Sequence, residues 1–188
     1  MGMGNREKLL EAARKCLFEK GYERTTVRDL ASAAGVSMAA IGYHFGSKEA
    51  LLNQALFEAL DSGGQAFGPT QRDDGLRSLW GHLIEAFSAN KTFWLANLET
   101  ILRAQRDPEL RKQVAAGLRH GRSGMAHEVT GTPEDELSEE TVRTLGSVQL
   151  ALVGGLMMQH ITDPESAPTA DEVMAGIRAL AARLPDET

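Results

Sequence analysis

The sequence has little of what stabilises secreted or membrane proteins. Its 188 residues include one cysteine, Cys16, which excludes an internal disulfide and fits a reducing cytoplasm. The opening MGMGNREKLL has no apolar run that could serve as a signal peptide. Arg6 stands where a myristoylation signal requires serine or threonine. We therefore expect a cytoplasmic protein that folds without covalent cross-links.

Motifs for catalysis and for cofactor binding are also missing. The sequence contains no Ser-His-Asp signature, phosphate-binding loop or dinucleotide fingerprint. His120 and His127 are seven residues apart and would share a helix face, but no acid or cysteine completes a metal set at a useful spacing. We therefore predict no catalytic residue, no metal and no cofactor, and we expect that the protein is not an enzyme.

Strand-like alternation is absent as well, and the few prolines separate long segments with helical spacing. The predicted fold class is therefore all-α. A stretch rich in glycine, residues 62–75 (SGGQAFGPTQRDDG), interrupts the helical pattern and predicts a domain boundary. The expected division is a first domain over residues 1–48, a connecting helix over about 48–62, and a second domain over residues 63–188.

Charge is divided unevenly between the two ends. Residues 1–50 carry eight Lys or Arg against six Asp or Glu, whereas the remainder carries twelve against twenty. A mildly basic end followed by an acidic remainder is the pattern of a chain whose first domain contacts nucleic acid. The net charge of −6 hides this asymmetry.

Residues 25–48 (TTVRDLASAAGVSMAAIGYHFGSK) predict two short helices joined by a tight turn. Thr26 and Asp29 form a capping-box pattern for the first helix, Gly35 allows the turn, and Ser37 is placed to cap the second helix, Met38–Phe45. A helix, a short turn containing glycine and a second helix is the arrangement that lays the second helix in a DNA major groove.

The outward face of the second helix has small side chains. If Ile41 and Phe45 face inward, the opposite side presents Ala39 and Tyr43, with Gly42 beside them. Glycine costs a helix roughly 1 kcal/mol relative to alanine. A close approach to DNA would explain that cost, and so would a tolerated surface glycine.

These residues carry a family resemblance. The segment GYERTTVRDLASAAGVSMAAIGYHFGSKEALL resembles the N-terminal DNA-binding segment of the tetracycline-repressor (TetR) family of bacterial regulators, over about residues 6–56. One departure is Gly42, where many members have a tyrosine before the Tyr-His pair. The resemblance implies a three-helix DNA-binding domain with a helix-turn-helix, followed by a helical bundle that binds a ligand and dimerises.

The resemblance also implies roles for individual positions. Thr26 and Arg28 would meet phosphates or a groove edge, and residues 38–40 would read base edges, with methyl groups suited to thymine. Lys48, with the amides that open its helix, would bind a further phosphate. Tyr43 and His44 would bind phosphates. Alternatively, His44 is a structural histidine and the cations are ordinary solvated charges. The predicted DNA-binding residues are Thr26, Arg28, Met38, Ala39, Ala40, Gly42, Tyr43, His44 and Lys48.

A later helix has an unusual composition, because residues 144–162 contain no Asp, Glu, Lys or Arg. A membrane span is rejected, since the uninterrupted apolar run Leu150–Met158 is shorter than the roughly 20 residues that a bilayer core requires. Burial against a second subunit and a central place in a monomeric bundle both remain open. Family members are typically homodimers that pair their last two helices. The interface residues predicted on this basis are Leu152, Leu156, His160, Ile177 and Leu180.

Aromatic and methionine side chains recur at helical spacing in the second half of the chain. Such stripes are more often core than ligand site, but their supply favours an apolar or aromatic effector. The predicted pocket residues are Trp80, Phe87, Phe93, Trp94, Leu98, Arg103, Met125, Gln149 and Met157.

The function predicted from the sequence is a ligand-responsive transcriptional regulator, a repressor, that binds a pseudo-palindromic operator as a dimer. Its expected partners are double-stranded DNA, a small effector and a second copy of the chain, with no membrane. The alternative is a helical, dimeric small-molecule-binding or interaction protein without specific DNA binding. Binding to duplex DNA that weakens steeply with salt would separate the two.

Overall fold

A computed structural model of the protein describes residues 4–61 and 75–184, and in these residues all regular secondary structure is helical. The prediction of an all-α fold is confirmed. The predicted boundary at residues 62–75 lies outside the described residues, except for Gly75. The α-helices of the described residues are α1 Asn5–Glu19, α2 Val27–Ala34, α3 Met38–Phe45, α4 Lys48–Asp61, α5 Gly75–Ala89, α6 Lys91–Ala104, α7 Pro108–Thr130, α8 Glu139–Thr162 and α9 Ala170–Ala181.

Capping residues ahead of the helical segments predict starts at Thr26, Ser37, Ser47, Ser138 and Thr169, and most of these caps form. At α2 the Thr26 hydroxyl accepts a hydrogen bond from the Asp29 amide at 3.1 Å, and the Asp29 carboxylate accepts one from the Thr26 amide at 2.9 Å. The expectation for Ser37 is wrong in part, because this residue precedes α3 but its side chain makes no capping bond. Side-chain caps also form at Ser47, Ser138 and Thr169.

The described residues form two compact units, the first of which comprises residues 4–61 and Asn90–Leu118. Its centre is α1, which packs against α2, α4 and α6. The spacing of Leu9, Ala13, Cys16 and Leu17 predicts an inward apolar stripe on α1, and it is confirmed, since all four are at most 3% exposed. Phe93 of α6 stacks on Phe18 of α1 with ring centroids 4.4 Å apart. The chain therefore returns to its first unit with α6.

One expectation about α6 is wrong. Its many apolar residues, which include Phe93, Trp94, Leu95, Leu98, Ile101 and Leu102, predict burial on more than one side. However, Leu95 and Leu102 are 40% and 69% exposed. The buried side of α6 is formed instead by the rings of Phe93 and Trp94 and by small residues, including Ala96 and Thr100. Small side chains allow α6 to approach its neighbours closely. Leu95 and Leu102 lie on its outer side, whereas Leu98 is half-buried.

The second unit comprises residues 75–89 and 119–184. Helix α5 packs against α8 and α9. The i, i+3, i+4, i+7 spacing of its apolar residues predicts an inward stripe, and Trp80, Leu83 and Phe87 of that stripe are at most 1% exposed. Arg77 binds both carboxylate oxygens of Asp171 at 2.6 and 2.9 Å, which ties α5 to the start of α9. The two ion-pair partners are 94 residues apart in the sequence.

Helix α8 contains a π-helical segment, Val142–Gly146, that the sequence did not predict. Gly146 is buried there, and a Cβ atom on it would lie 2.2 Å from the carbonyl oxygen of Arg122 in α7. Only glycine allows the two helices to approach this closely. Among the described helices, α8 is the one that could cross a membrane by length and composition, but the core helix of a soluble protein meets the same criterion.

Candidate nucleic-acid interface

The predicted helix-turn-helix forms in the first unit. Leu30 and Ala34 of α2 are buried, and Gly35 then adopts a left-handed conformation with φ of 65°. The Val36 amide donates to the Ala31 carbonyl at 3.0 Å, which closes the end of α2 and turns the chain into α3. Ile41, 2% exposed, anchors α3 against the unit. The turn and this anchor fix which side of α3 faces outward.

The outward face of α3 matches the face that the sequence predicted. Tyr43 is 87% exposed and Met38 is 55% exposed, and Ala39 and Gly42 are exposed between them. A Cβ atom added at Gly42 would meet nothing within 4 Å. This face of α3 is therefore open, and the Tyr43 ring projects from among small side chains.

His44 and Ala40 flank this face and are half-buried. The His44 ring packs edge-on against the rings of Tyr43 and Phe45, with centroid distances of 4.9 and 6.4 Å. The structure thus brings the α3 candidates onto one helix face and its flank. Their contacts with DNA stay a prediction.

The Thr26 hydroxyl group already donates a hydrogen bond within the protein, which limits its role in binding a phosphate. Its hydroxyl group has a single hydrogen to donate, and this hydrogen is directed to Asp29 Oδ2 at 2.6 Å. A phosphate at the start of α2 would then be met by the backbone amides of the first turn, which have no intrahelical partner in any helix. Arg28, in the same turn, is exposed, and no ion-pair partner for it is present among the described residues.

Lys20 is a residue of this region that the sequence reasoning missed. Its Nζ atom binds Asp29 Oδ1 at 2.6 Å and so joins the end of α1 to the start of α2. The hydrogen bonds from Lys20 and then from Thr26 lower the pKa of the Asp29 carboxyl far below its usual range. A separation of nine residues across a turn has no helical periodicity, so no spacing rule would have found the pair.

Lys48 has a structural role in the unit. Its Nζ atom donates to the Thr25 carbonyl at 3.1 Å and lies 3.6 Å from Glu49 Oε1. The buried Thr25 hydroxyl in turn donates to the Gly21 carbonyl at 2.6 Å. Lys48 therefore holds the α1–α2 turn against α4, and a phosphate would have to share its ammonium group with these partners.

The predicted pocket residues are divided between the two units. Phe93, Trp94, Leu98 and Arg103 lie on α6 in the first unit, where the Arg103 guanidinium stands 4.5 Å from the centre of the Tyr22 ring. These four residues belong to the packing of the unit that carries α2 and α3. The pocket candidates in the second unit are Trp80, Phe87, Met125, Gln149 and Met157.

The second unit contains buried polar groups in an otherwise apolar interior. Trp80 is fully buried, and its indole Nε1 has no hydrogen-bond partner among the described residues. Gln149 is 6% exposed. His160 is 7% exposed, with Nε2 3.1 Å from the Pro168 carbonyl and its ring 6.2 Å from that of Phe87. A buried donor without a partner costs folding free energy, so a role for it is worth testing.

A projecting helix face on a capped helix-turn-helix, with a second helical unit behind it in sequence, defines the class of helical DNA-binding regulators. Comparison with known proteins agrees with this class. Residues 9–55 match the family model of bacterial regulatory proteins of the tetR family, and residues 71–186 match that of the tetracyclin repressor-like C-terminal domain. The chain belongs to the TetR family, whose members are regulators and not enzymes.

Individual relatives show the same likeness. The chain is 37% identical to the transcriptional repressor AcnR of Corynebacterium efficiens over 111 residues, 58% of this chain and 55% of the relative. It is 53% identical to AcnR of Corynebacterium glutamicum over 47 residues, 25% of each chain. The chain thus matches about half the length, or less, of these curated relatives. A crystal structure of the multidrug-binding protein EbrR with imidazole shares the fold, with a TM-score of 0.67 at 20% identity over 100% of this chain and 98% of that one.

Proposed function

We propose that the protein is a ligand-responsive transcriptional repressor that binds a pseudo-palindromic DNA operator as a homodimer in the cytoplasm. The observation that carries the proposal is the exposed face of α3, which follows the capped helix α2 across a tight turn and projects Tyr43 into solvent. The match over residues 9–55 and the AcnR relatives, which are named as repressors, support it. In this proposal residues 1–48 carry DNA binding, and residues 63–188 carry effector binding and dimerisation.

In the proposed complex α3 enters the major groove with its small side chains against base edges. The methyl groups of Ala39 and Ala40 and the Met38 side chain suit contact with thymine methyl groups. Tyr43 and His44 bind phosphates beside the groove, and the missing side chain at Gly42 allows close approach. Arg28, the free backbone amides in the first turn of α2 and the ammonium group of Lys48 supply the remaining phosphate contacts.

The proposed dimer interface rests on the side of α8 that its own unit leaves exposed. Val148 and Met158 are 59% and 55% exposed, and Ala151 and Gly155 are exposed between them at helical spacing. A Cβ atom at Gly155 would meet nothing within 4 Å, so the face has a notch that a second helix can enter. This uncharged side is what a copy of the same helix would cover.

Two of the predicted interface residues do not reach that side. Leu156 and His160 are buried within their own unit, so they pack α8 against that unit and are not available to a second subunit. Leu152 and Ile177 are half-buried, whereas Leu180 of α9 is 67% exposed. The apolar residues spaced along α9 thus become more exposed along the helix, from Val173 at 8% to Leu180 at 67%. We propose that exposed residues of α8 and α9 together form the interface.

The proposed effector site lies within the second unit. Trp80 Nε1 and the buried Gln149 amide are the polar groups that an apolar or aromatic effector with one acceptor and one donor would satisfy. Phe87 and Met157 would supply apolar contacts, since both are buried in the same unit. We propose that occupation of this site changes the affinity for DNA.

Selection of bound duplexes from a random pool tests the proposal. We expect an enriched pseudo-palindrome whose half-site centres are about one or more helical turns apart, and an affinity that falls steeply with salt. A screen of small molecules against the selected duplex then identifies the effector by a change in the affinity for DNA. Dimers that enrich no palindrome, and that bind all duplexes equally, would favour the alternative of an interaction protein without specific DNA binding.

A further inference from the structure

A cation outside the helix-turn-helix lies against the end of α3. Arg6, in the first turn of α1, places its Cζ atom 5.2 Å from the centre of the Phe45 ring. This distance is within the range of about 6 Å for attraction between a cation and an aromatic face. Arg6 is exposed and Phe45, the last residue of α3, is half-buried. The contact therefore holds a charged side chain at the protein surface.

The position of Phe45 shows which side of α3 this cation borders. Residues three apart on a helix are surface neighbours, so Phe45 shares a flank with Gly42. Gly42 is exposed, and the space around its missing side chain is open within 4 Å. Arg6 thus stands beside the part of the α3 face that has no side chain of its own.

The guanidinium group is available for an anion. Arginine stays protonated and carries five N–H donors, and packing over an aromatic ring consumes none of them. The neighbouring Glu7 carboxylate accepts a hydrogen bond from the Gly4 amide at 3.1 Å as part of the α1 start. Among the described residues, Arg6 has no ion-pair partner. Its one described contact fixes its position without neutralising it.

We propose that Arg6 is a DNA phosphate-binding residue, and that Phe45 is the positioning residue that holds it beside the open flank of α3. The proposal rests on the proposed function, because the phosphate belongs to the DNA strand that borders α3. Arg6 would then contribute affinity without sequence preference, as phosphate contacts do.

The test compares Arg6→Ala with Lys15→Ala in the full-length protein. Lys15 is exposed on the same helix, so both variants lose one positive charge per chain. Fluorescence anisotropy on the selected duplex and on an unrelated duplex, over a series of salt concentrations, gives affinity and salt slope. We expect Arg6→Ala to weaken binding to both duplexes about tenfold and to lower the salt slope by about 0.9 for each phosphate that is no longer bound. Lys15→Ala should leave the slope unchanged.

Phe45→Leu tests the positioning role, since it keeps an apolar side chain but removes the ring. We expect a smaller loss of affinity and of salt slope in the wild-type background, and no further loss when Arg6 is already alanine. An equal loss from Phe45→Leu in both backgrounds would overturn the positioning role. Equal salt slopes for Arg6→Ala and Lys15→Ala would overturn the phosphate contact.

Failure of the proposed function is distinguishable from these outcomes. A wild-type protein that shows no preference for any duplex would refute the repressor, whatever Arg6 does. Thermal unfolding of each variant separates loss of binding from loss of fold. A variant with a lowered melting temperature is replaced by Arg6→Gln, which keeps polar bulk at the surface.

Discussion

The two units each leave apolar side chains exposed, but the surfaces differ in shape and chemistry. On α3 the exposed face consists of alanines and a glycine around Met38 and a single projecting ring, Tyr43. On α8 and α9 it consists of larger aliphatic groups, with Val148, Met158 and Leu180 all more than half exposed. Cations border the first face, whereas residues 144–162 of α8 carry no Asp, Glu, Lys or Arg.

The difference indicates the partner of each surface. A low face with nearby cations suits a groove lined by phosphates, where affinity is largely electrostatic. An uncharged aliphatic face gains free energy only when apolar area leaves water, at roughly 25 cal/mol per Å², which another protein surface provides. Exposed apolar residues therefore have opposite meanings in the two units, and each can be tested separately.

The largest effect is expected from Val148→Arg in the α8 face. An unpaired charge buried in an interface costs about 3–5 kcal/mol, and a two-fold symmetric interface buries two of them. We expect the dimer to become a monomer in sedimentation equilibrium at micromolar concentration, with specific operator binding lost as well.

Leu102→Arg is the matched control, because Leu102 is 69% exposed on α6 and lies outside the proposed interface. It should leave both sedimentation and DNA binding unchanged. A Val148→Arg variant that sediments like the wild type would remove α8 from the interface.

The next largest effect is expected from Tyr43→Ala on the α3 face. Removing one DNA contact costs about 1–3 kcal/mol, and a dimer is affected at both half-sites, so operator affinity should fall by about thirtyfold or more. Thermal stability should not change, because the ring is 87% exposed. Tyr43→Phe separates the ring from the hydroxyl group: a phosphate hydrogen bond through the hydroxyl would make its effect approach that of alanine. Full affinity in Tyr43→Ala would contradict the role of this face.

A smaller effect, on pH dependence, is expected from Asp29→Asn. The lowered pKa of Asp29 means that its contribution to stability is complete above about pH 4, the ordinary range of the group, and declines as pH falls below it. Urea unfolding between pH 3 and 7 should therefore show a weaker acid dependence in the variant. Glu11→Gln, exposed on the same unit, serves as control. An unchanged acid slope in Asp29→Asn would contradict the lowered pKa and, with it, the bonds that Asp29 accepts from Lys20 and Thr26.

The smallest effect is expected from Glu99→Gln in α6. Burial, and then the nearby Glu23 carboxylate, raise the pKa of Glu99, and its Oε2 atom has no hydrogen-bond partner among the described residues. The folded state therefore retains this proton to higher pH than the unfolded state, and stability falls as pH rises from about 4.3 towards the raised pKa. Glutamine should remove that fall and slightly stabilise the protein at pH 7. Stability curves that coincide at pH 4 and pH 7 would contradict the assignment.

Local sequence signals predicted the helices and most of their starts. Thr26, Ser47, Ser138 and Thr169 act as caps because a capping bond spans only three residues and depends on no distant partner. The prediction for Ser37 was wrong in part, because its backbone has the extended conformation of an N-cap but its side chain makes no capping hydrogen bond. The outward face of α3 was also predictable from the sequence, since helical periodicity places the apolar Ile41 inward.

Contacts between segments that are distant in the sequence could not be predicted from it. The π-helical segment of α8 accompanies the close approach of Gly146 to the Arg122 carbonyl of α7, which no residue pattern in α8 announces. Aromatic composition predicted pocket residues on α6, whereas the stacking of Phe93 on Phe18 shows that α6 packs in the first unit. Each depends on which helices meet, and periodicity within one helix does not contain that information.

The sequence by itself determined an all-helical protein with a capped helix-turn-helix, a face of small residues on α3 and an uncharged stretch, residues 144–162, in α8. These follow from interactions within three or four residues and from the sequence's likeness to a family. Tertiary structure alone decided that α6 packs with α1, that Lys48 holds the α1–α2 turn, and that Arg6 lies over Phe45. The physical reason is that burial and cross-chain hydrogen bonds form between segments whose separation no local pattern records.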